Sequence, residues 1–309
     1  MPPFPYTLAV LAVAGGGGLV AATIFSIVRR HPADGRGVAG RTVLARAASY
    51  AALAALLGLA AWLGTAGIAA LALVLGAVAL WEWGRLTDLP LHHRVALQVA
   101  NIVIVLSVAL LGAGATEWLV GGIVLAGIVW PVVRADPERA MRDLGFAAVG
   151  CIVVSGMLAH GVALVVERGE LGAATFVALA AGAAGSDVGA FLVGRRFGRT
   201  PLAPRLSPNK TREGLAGTVL GAALGIAPFA PVLAPAFGGA FVIVLVGLVS
   251  LGAVWGDLLE SAAKREAGHK DAGGWLPGFG GILDRIDSLL VVLPLAYWAL
   301  RLVDLGLAT

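Results

Sequence analysis

Charge is what this sequence has least of. Of its 309 residues, 13% are Asp, Glu, Lys or Arg, about half of the roughly 25% that a soluble domain carries. Uncharged stretches of about 20 residues recur along the chain, and no segment between them is long enough for an independent soluble core. Cysteine is nearly missing too: the single Cys151 excludes a disulfide framework and says nothing of redox compartment. No glycine-rich GK[ST] turn opens a helix, so a Walker-type phosphate loop is excluded. There is no tandem repeat, low-complexity tail or domain linker, and no basic n-region precedes the first apolar run, so a retained helix is expected there instead of a cleaved signal peptide.

Apolar residues make up 59% of the chain, and glycine, at 44 residues, is roughly twice its usual share, which suits close helix packing in a membrane. The pattern predicts an all-α, polytopic integral membrane bundle of about ten transmembrane helices with short loops, at 6–28, 47–64, 66–84, 95–112, 117–133, 145–166, 172–194, 214–236, 239–260 and 288–303. With the N-terminus outside, the loops 29–46, 85–94, 134–144, 195–213 and 261–287 face the cytosol and hold 20 of the 22 basic residues; Arg168 and Arg301 fall on the other side. That asymmetry is what the positive-inside rule requires, and it puts both termini outside. The net charge of +4 therefore reports topology first. The lipid bilayer is the expected partner, and no nucleic acid is expected. The glycine series Gly182, Gly185, Gly189 and Gly217, Gly221, Gly225 read as helix-packing faces, compatible with a homodimer.

The scarce charge is concentrated. Between Gly256 and Ser288, GDLLESAAKREAGHKDAGGWLPGFGGILDRIDS holds six acids (Asp257, Glu260, Glu266, Asp271, Asp284, Asp287) and four bases (Lys264, Arg265, Lys270, Arg285). Asp257, Glu260 and Ser261 share one helix face at i, i+3, i+4, Asp284 and Asp287 stand at i, i+3, and Asp187 lies near the cytoplasmic end of another helix. An acid at membrane depth costs several kcal/mol unless paired, hydrated or bound to a cation. Carboxylates from three helix ends could converge on one cation; the alternative is interfacial helix-end charge paired with Arg285 or Lys264. The loop GRRFGRTPLAPRLSPNKTREG, 194–214, adds six bases, Pro204 and Pro208, and Ser207, Asn209 and Thr211. It could grip a triphosphate or lipid phosphate, or simply touch anionic headgroups. Glu82, Gln98, Asn101 and His160 read as interhelical hydrogen bonds, and His92 and His93 as solvated loop residues.

These two blocks resemble the phosphatidate cytidylyltransferases, or CDP-diacylglycerol synthases. Ser261, Lys264, Arg265, Lys270, Asp271, Gly273, Leu276, Pro277, Gly278, Gly280, Gly281, Asp284, Arg285 and Asp287 fit the family's C-terminal signature, and SDVGAFLVGRRFGRTPLAPRLSPNKTREG fits a second segment. LWEWGRL is similar to the bacterial members. The resemblance runs from about Arg41 to the end, so 1–40 is expected to be an additional transmembrane helix and cytoplasmic linker, and 41–309 the enzyme's membrane domain with its catalytic part at 182–288. One position departs: Phe279 stands where the family has histidine, and it can neither donate to phosphate nor carry a proton.

The resemblance implies that CTP and phosphatidic acid give CDP-diacylglycerol and pyrophosphate at the cytoplasmic face of the inner membrane, in phospholipid biosynthesis. It implies Mg²⁺, with room for a second cation such as K⁺. Asp257 and Asp284 are then the expected cation ligands, with Glu260 and Asp287 as further ligands. Asp257, Asp284, Asp287, Lys264 and Arg285 form the catalytic set, and Ser207, Lys210, Thr211, Arg212, Arg265, Lys270, Asp187, Gly280 and Gly281 the expected substrate and phosphate contacts. Rival readings are a CTP-dependent enzyme acting on another lipid phosphate or alcohol, an inactive paralogue, and a cation carrier. A carrier would need its charge near the bilayer midplane and not at the helix ends.

Overall fold

In the computed structural model the described residues are 54–112, 114, 121–123, 140–266 and 281–305. The expected helices at 6–28 and 117–133 lie outside them or nearly so, as do Lys270, Phe279 and Gly280. A helical stretch, 54–62, leads into α1 (Gly64–Leu86) and α2 (Leu91–Leu111). Then come α3 (Ala140–Gly150), a π-helical turn (Cys151–Gly156) and α4 (Met157–Phe197), continuous as one 58-residue helical run. At about 1.5 Å per residue that run is far too long for one crossing of a hydrocarbon core of about 30 Å. It reverses at Gly169, whose φ of 54° and ψ of −126° no helix accommodates. The two arms then lie so close that a Cβ on Gly172 would strike the carbonyl of Leu164. The expected pair 145–166 and 172–194 is thus a tight helical hairpin.

The chain continues through two short strands, β1 (Pro201–Ala203) and β2 (Ser207–Thr211), into α5 (Gly214–Ile226), a 3₁₀ turn (Ala227–Phe229), α6 (Ala230–Phe237), α7 (Gly239–Glu266) and α8 (Leu283–Asp304). Among the described residues six helical segments are long and apolar enough to cross a membrane. The molecule is an all-α membrane protein, with one exception among the described residues: the basic loop folds as an antiparallel hairpin pairing Pro201 with Thr211 and Ala203 with Ser207.

Two glycine seams fix the helices that carry the site. On α4 and α5, a Cβ on Gly189 would strike the carbonyl of Gly217, one on Gly185 that of Gly221, and one on Gly225 that of Ala181. The pairs descend one helix as they climb the other, so the two run antiparallel at backbone contact, as small residues permit in a membrane. On α7 and α8, Gly252 abuts Val292 and Gly256 abuts the backbone of Asp287 and Ser288. This seam sets the C-terminal end of α7 against the N-terminal end of α8.

The polar residues of the apolar runs mostly behave as expected. Asn101 donates to the Leu73 carbonyl at 3.1 Å and accepts from Ser155 Oγ at 3.0 Å, and Gln98 donates to Ala77 at 3.0 Å, all between helices. His160 differs: its Nδ1 meets the Gly156 carbonyl of its own helical run at 2.8 Å, while its ring packs edge-on against Tyr297. His92 and His93 also differ, for they lie in the first turn of α2 with rings 4.4 Å apart, and His93 Nδ1 is buried.

Candidate active site

The acids come together because two helices end at the same level. Helix α7 presents Asp257 and Glu260 one turn apart, and α8 presents Asp284 and Asp287 one turn apart. With no Cβ at Gly256, α8 approaches at Asp287 itself. Asp257, Glu260 and Asp287 each offer a carboxylate oxygen within 4.8 Å of the others. Glu260 is 8% and Asp287 7% exposed, so their mutual repulsion is weakly screened.

Two lysines enter this cluster from different elements. Lys210, on β2, ion-pairs with Asp257. The folding of the basic loop as a hairpin, not as a loose headgroup-binding segment, is what delivers that amine. Lys264, one turn beyond Glu260 on α7, lies 3.1 Å from Glu260 and 3.2 Å from Asp284. Asp284, expected as a cation ligand, sits outside the trio: one oxygen accepts from Lys264 and the other from the Gly281 amide at 3.2 Å. That amide, expected on a phosphate, is therefore engaged within the chain. Asp187, from α4, accepts from Ser288 Oγ at 3.4 Å, and Asp287 accepts from the Ser288 amide at 2.7 Å.

The remaining expected contacts are divided. Ser207 opens β2 half-buried, Arg212 and Arg265 are exposed, and Arg285 is exposed on the first turn of α8. The Thr211 hydroxyl accepts from the Gly214 amide at 3.1 Å, which closes the start of α5. Two residues outside the expected catalytic and substrate sets support the site: Glu213, to which the sequence assigned no role, and Glu82, expected to make an interhelical hydrogen bond. Glu213 accepts from the amides of Arg199 and Thr200 at 3.1 and 3.2 Å, fastening the hairpin's entry to its exit, and the Arg199 amide foremost pushes its pKa down to about 2. Glu82, from α1, accepts from the amides of Ile282 and Leu283 at the start of α8. The signal for Glu82 was an acid inside an apolar run, flanked by Trp81 and Trp83.

The trio suits a hard divalent cation. Its donors are all carboxylate oxygens, the ligand type Mg²⁺ selects. Glu260 Oε1 is buried and, although 3.1 Å from Lys264, lacks a hydrogen bond of good geometry. A buried acceptor left in that state is costly, and a cation would satisfy it. Around the trio stand amines suited to phosphate, so the arrangement can hold a cation and anionic oxygens side by side.

The chain is similar to several known proteins that share one name. Over 248 residues, covering 76% of this chain and 85% of the other, the sequence is 34% identical to the phosphatidate cytidylyltransferase of Brucella suis biovar 1 (strain 1330). It is 37% identical over 174 residues to the enzyme of that name from Helicobacter pylori (strain ATCC 700392 / 26695), covering 56% and 60% of the two chains. With its namesake in Bacillus subtilis (strain 168) the identity is 42% over 117 residues, 38% and 44% of the chains. A profile of the cytidylyltransferase family matches residues 44–303, and the chain belongs to that family.

Proposed function

We propose that the protein transfers the cytidylyl group of CTP to phosphatidic acid, giving CDP-diacylglycerol and pyrophosphate. The observation that carries this reading is the convergence of Asp257, Glu260 and Asp287 beside Lys210 and Lys264, in a chain matched to the cytidylyltransferases over residues 44–303. A phosphate oxygen of the lipid attacks the α-phosphorus of CTP, a bond to phosphorus forms, and the bond to the bridging oxygen breaks in line with pyrophosphate departure. The lipid phosphate is already ionised at neutral pH, so no strong general base is required. The barrier is the repulsion between two anions, and catalysis is positioning and charge.

Asp257, Glu260 and Asp287 would hold Mg²⁺, which when bound polarises phosphate oxygens and offsets their charge. Lys210 and Lys264 stand within reach of the same carboxylates and neutralise phosphates brought there, with Arg212, Arg265 and Arg285 as further cations of the same end; Lys270, outside the described residues, is proposed as another phosphate contact. Asp284 holds Lys264 and the Gly281 amide in place. The distribution of basic residues supports a cytosolic position for this end, in a bundle of about ten spans with both termini outside.

The test is pyrophosphate release by purified protein in detergent with CTP, phosphatidic acid and MgCl₂, beside Asp284→Ala. Release that requires both substrates and falls by roughly 10²–10³-fold in the variant is expected. Release with a different lipid phosphate but not with phosphatidic acid would overturn the acceptor, and no release with any lipid would overturn the reaction.

A further inference from the structure

Glu82 is 1% exposed, in the membrane-spanning helix α1. A carboxylate there costs several kcal/mol unless its oxygens find donors. It finds them 200 residues away: Oε1 accepts from the Ile282 amide at 3.1 Å and Oε2 from the Leu283 amide at 2.9 Å. These are amides that α8 leaves unpaired at its first turn, and α8 has no capping side chain of its own. Gly281 completes the seat, since a Cβ there would collide with the Glu82 carboxylate. Asp284 takes the Gly281 amide in turn. Three successive amides are thus held by two carboxylates, one local and one from α1.

We propose that Glu82 is a positioning residue for the acid cluster: gripping Ile282 and Leu283 from α1, it fixes the first turn of α8 and so the place of Asp284 and Asp287 relative to Asp257 and Glu260. The inference rests on the proposed cation-binding role of that cluster. A local Asp or Ser cap would satisfy the same amides but would move with α8. A cap from another helix ties the turn to the rest of the bundle. It also fills the start of α8 with negative charge, so substrate phosphates are kept off those amides and directed to the lysines. Asp287 sits at backbone contact with Gly256, so a small shift of α8 alters the carboxylate separation directly.

The experiment compares wild type, Glu82→Ala, Glu82→Gln and a control, Asn101→Ala, which removes a buried interhelical hydrogen bond from α2. Two quantities are read: steady-state pyrophosphate release, and the MgCl₂ concentration giving half of the cation-induced rise in melting temperature without CTP. Glu82→Ala is expected to lower kcat about 100-fold with KM for CTP within about threefold, the signature of misplaced groups and not of lost binding. Its Mg²⁺ midpoint is expected to rise about tenfold or more, as supporting groups of metal sites do when removed. Glu82→Gln, whose oxygen can still accept one amide, should recover part of both. Asn101→Ala should lower the melting temperature and leave kcat and the midpoint alone. A folded Glu82→Ala with kcat and midpoint within about twofold of wild type would overturn the proposal, since displacement of the acids must cost more than that. Should that variant fail to fold, the same result in a folded Glu82→Leu, which is of similar size and has no acceptor, overturns it. A wild type that releases no pyrophosphate, with the midpoint still displaced in Glu82→Ala, would sink the proposed reaction and leave the positioning role standing.

Discussion

The two ends of α8 carry acids in opposite circumstances. At its C-terminal end Asp304 pairs with Arg168, and Arg301 lies 3.8 Å from Glu167, which also accepts from the Tyr297 hydroxyl at 2.9 Å. Each acid there has its own base, half in contact with the outside, and such pairs contribute about 0–1 kcal/mol. At the N-terminal end Asp187, Asp257, Glu260, Asp284 and Asp287 gather around Lys210 and Lys264. One lysine serves two acids, while Asp187 accepts from the Ser288 hydroxyl and Asp287 from the Ser288 amide. Matched charge closes a helix end. Surplus carboxylate in a buried place stores repulsion that a cation relieves, which is why one end reads as architecture and the other as a site.

Isosteric neutralisation at each end breaks that comparison most sharply. Asp287→Asn keeps the oxygen that accepts from Ser288 and removes a buried charge, and it is expected to cut pyrophosphate release roughly 10²–10³-fold. In EDTA the same variant should melt above wild type, because one repelling charge is gone. Asp304→Asn should leave release within about twofold and cost at most about 1 kcal/mol. Equal losses from the two variants would remove the distinction between the ends.

A smaller effect separates the charges from the seam that assembles them. Gly256→Val pushes against the Asp287 backbone, and overpacking of this kind costs about 1–3 kcal/mol. It should lower melting temperature and weaken Mg²⁺ stabilisation with every acid still present. Unchanged Mg²⁺ response in a folded Gly256→Val would show that α8 need not sit at backbone contact.

The smallest effect concerns the hairpin that brings Lys210. Glu213 has its pKa lowered from 4.5 to about 2 by the amides it accepts from. A folded pKa below the unfolded one gives stability that is fully present above about pH 4.5 and is lost as pH falls through about 2. Hydrogen exchange at the Arg199 and Thr200 amides, corrected for the intrinsic rate, should accelerate between those limits, whereas Glu213→Gln should be fast throughout. A flat wild-type profile would mean that Glu213 does not fasten the hairpin.

Hydropathy alone determined the class of molecule and the places of the spans that fall among the described residues, because an apolar run long enough to cross a bilayer has few other fates. Local spacing placed Asp257 with Glu260 and Asp284 with Asp287, since a helix repeats every 3.6 residues wherever it lies. The glycine faces of α4 and α5 were legible for the same reason. Other features depended on distances between segments, which spacing along the chain does not encode. Gly256 had to meet Asp287 before three acids became a cluster. The basic loop had to close as a hairpin before Lys210 reached Asp257. Asp284, one turn from Asp287, turned to Lys264 and the Gly281 amide. Glu82 read in the sequence as one more interhelical hydrogen bond, and it makes one; only the packing of α1 against the start of α8 decided that its partners are the Ile282 and Leu283 amides.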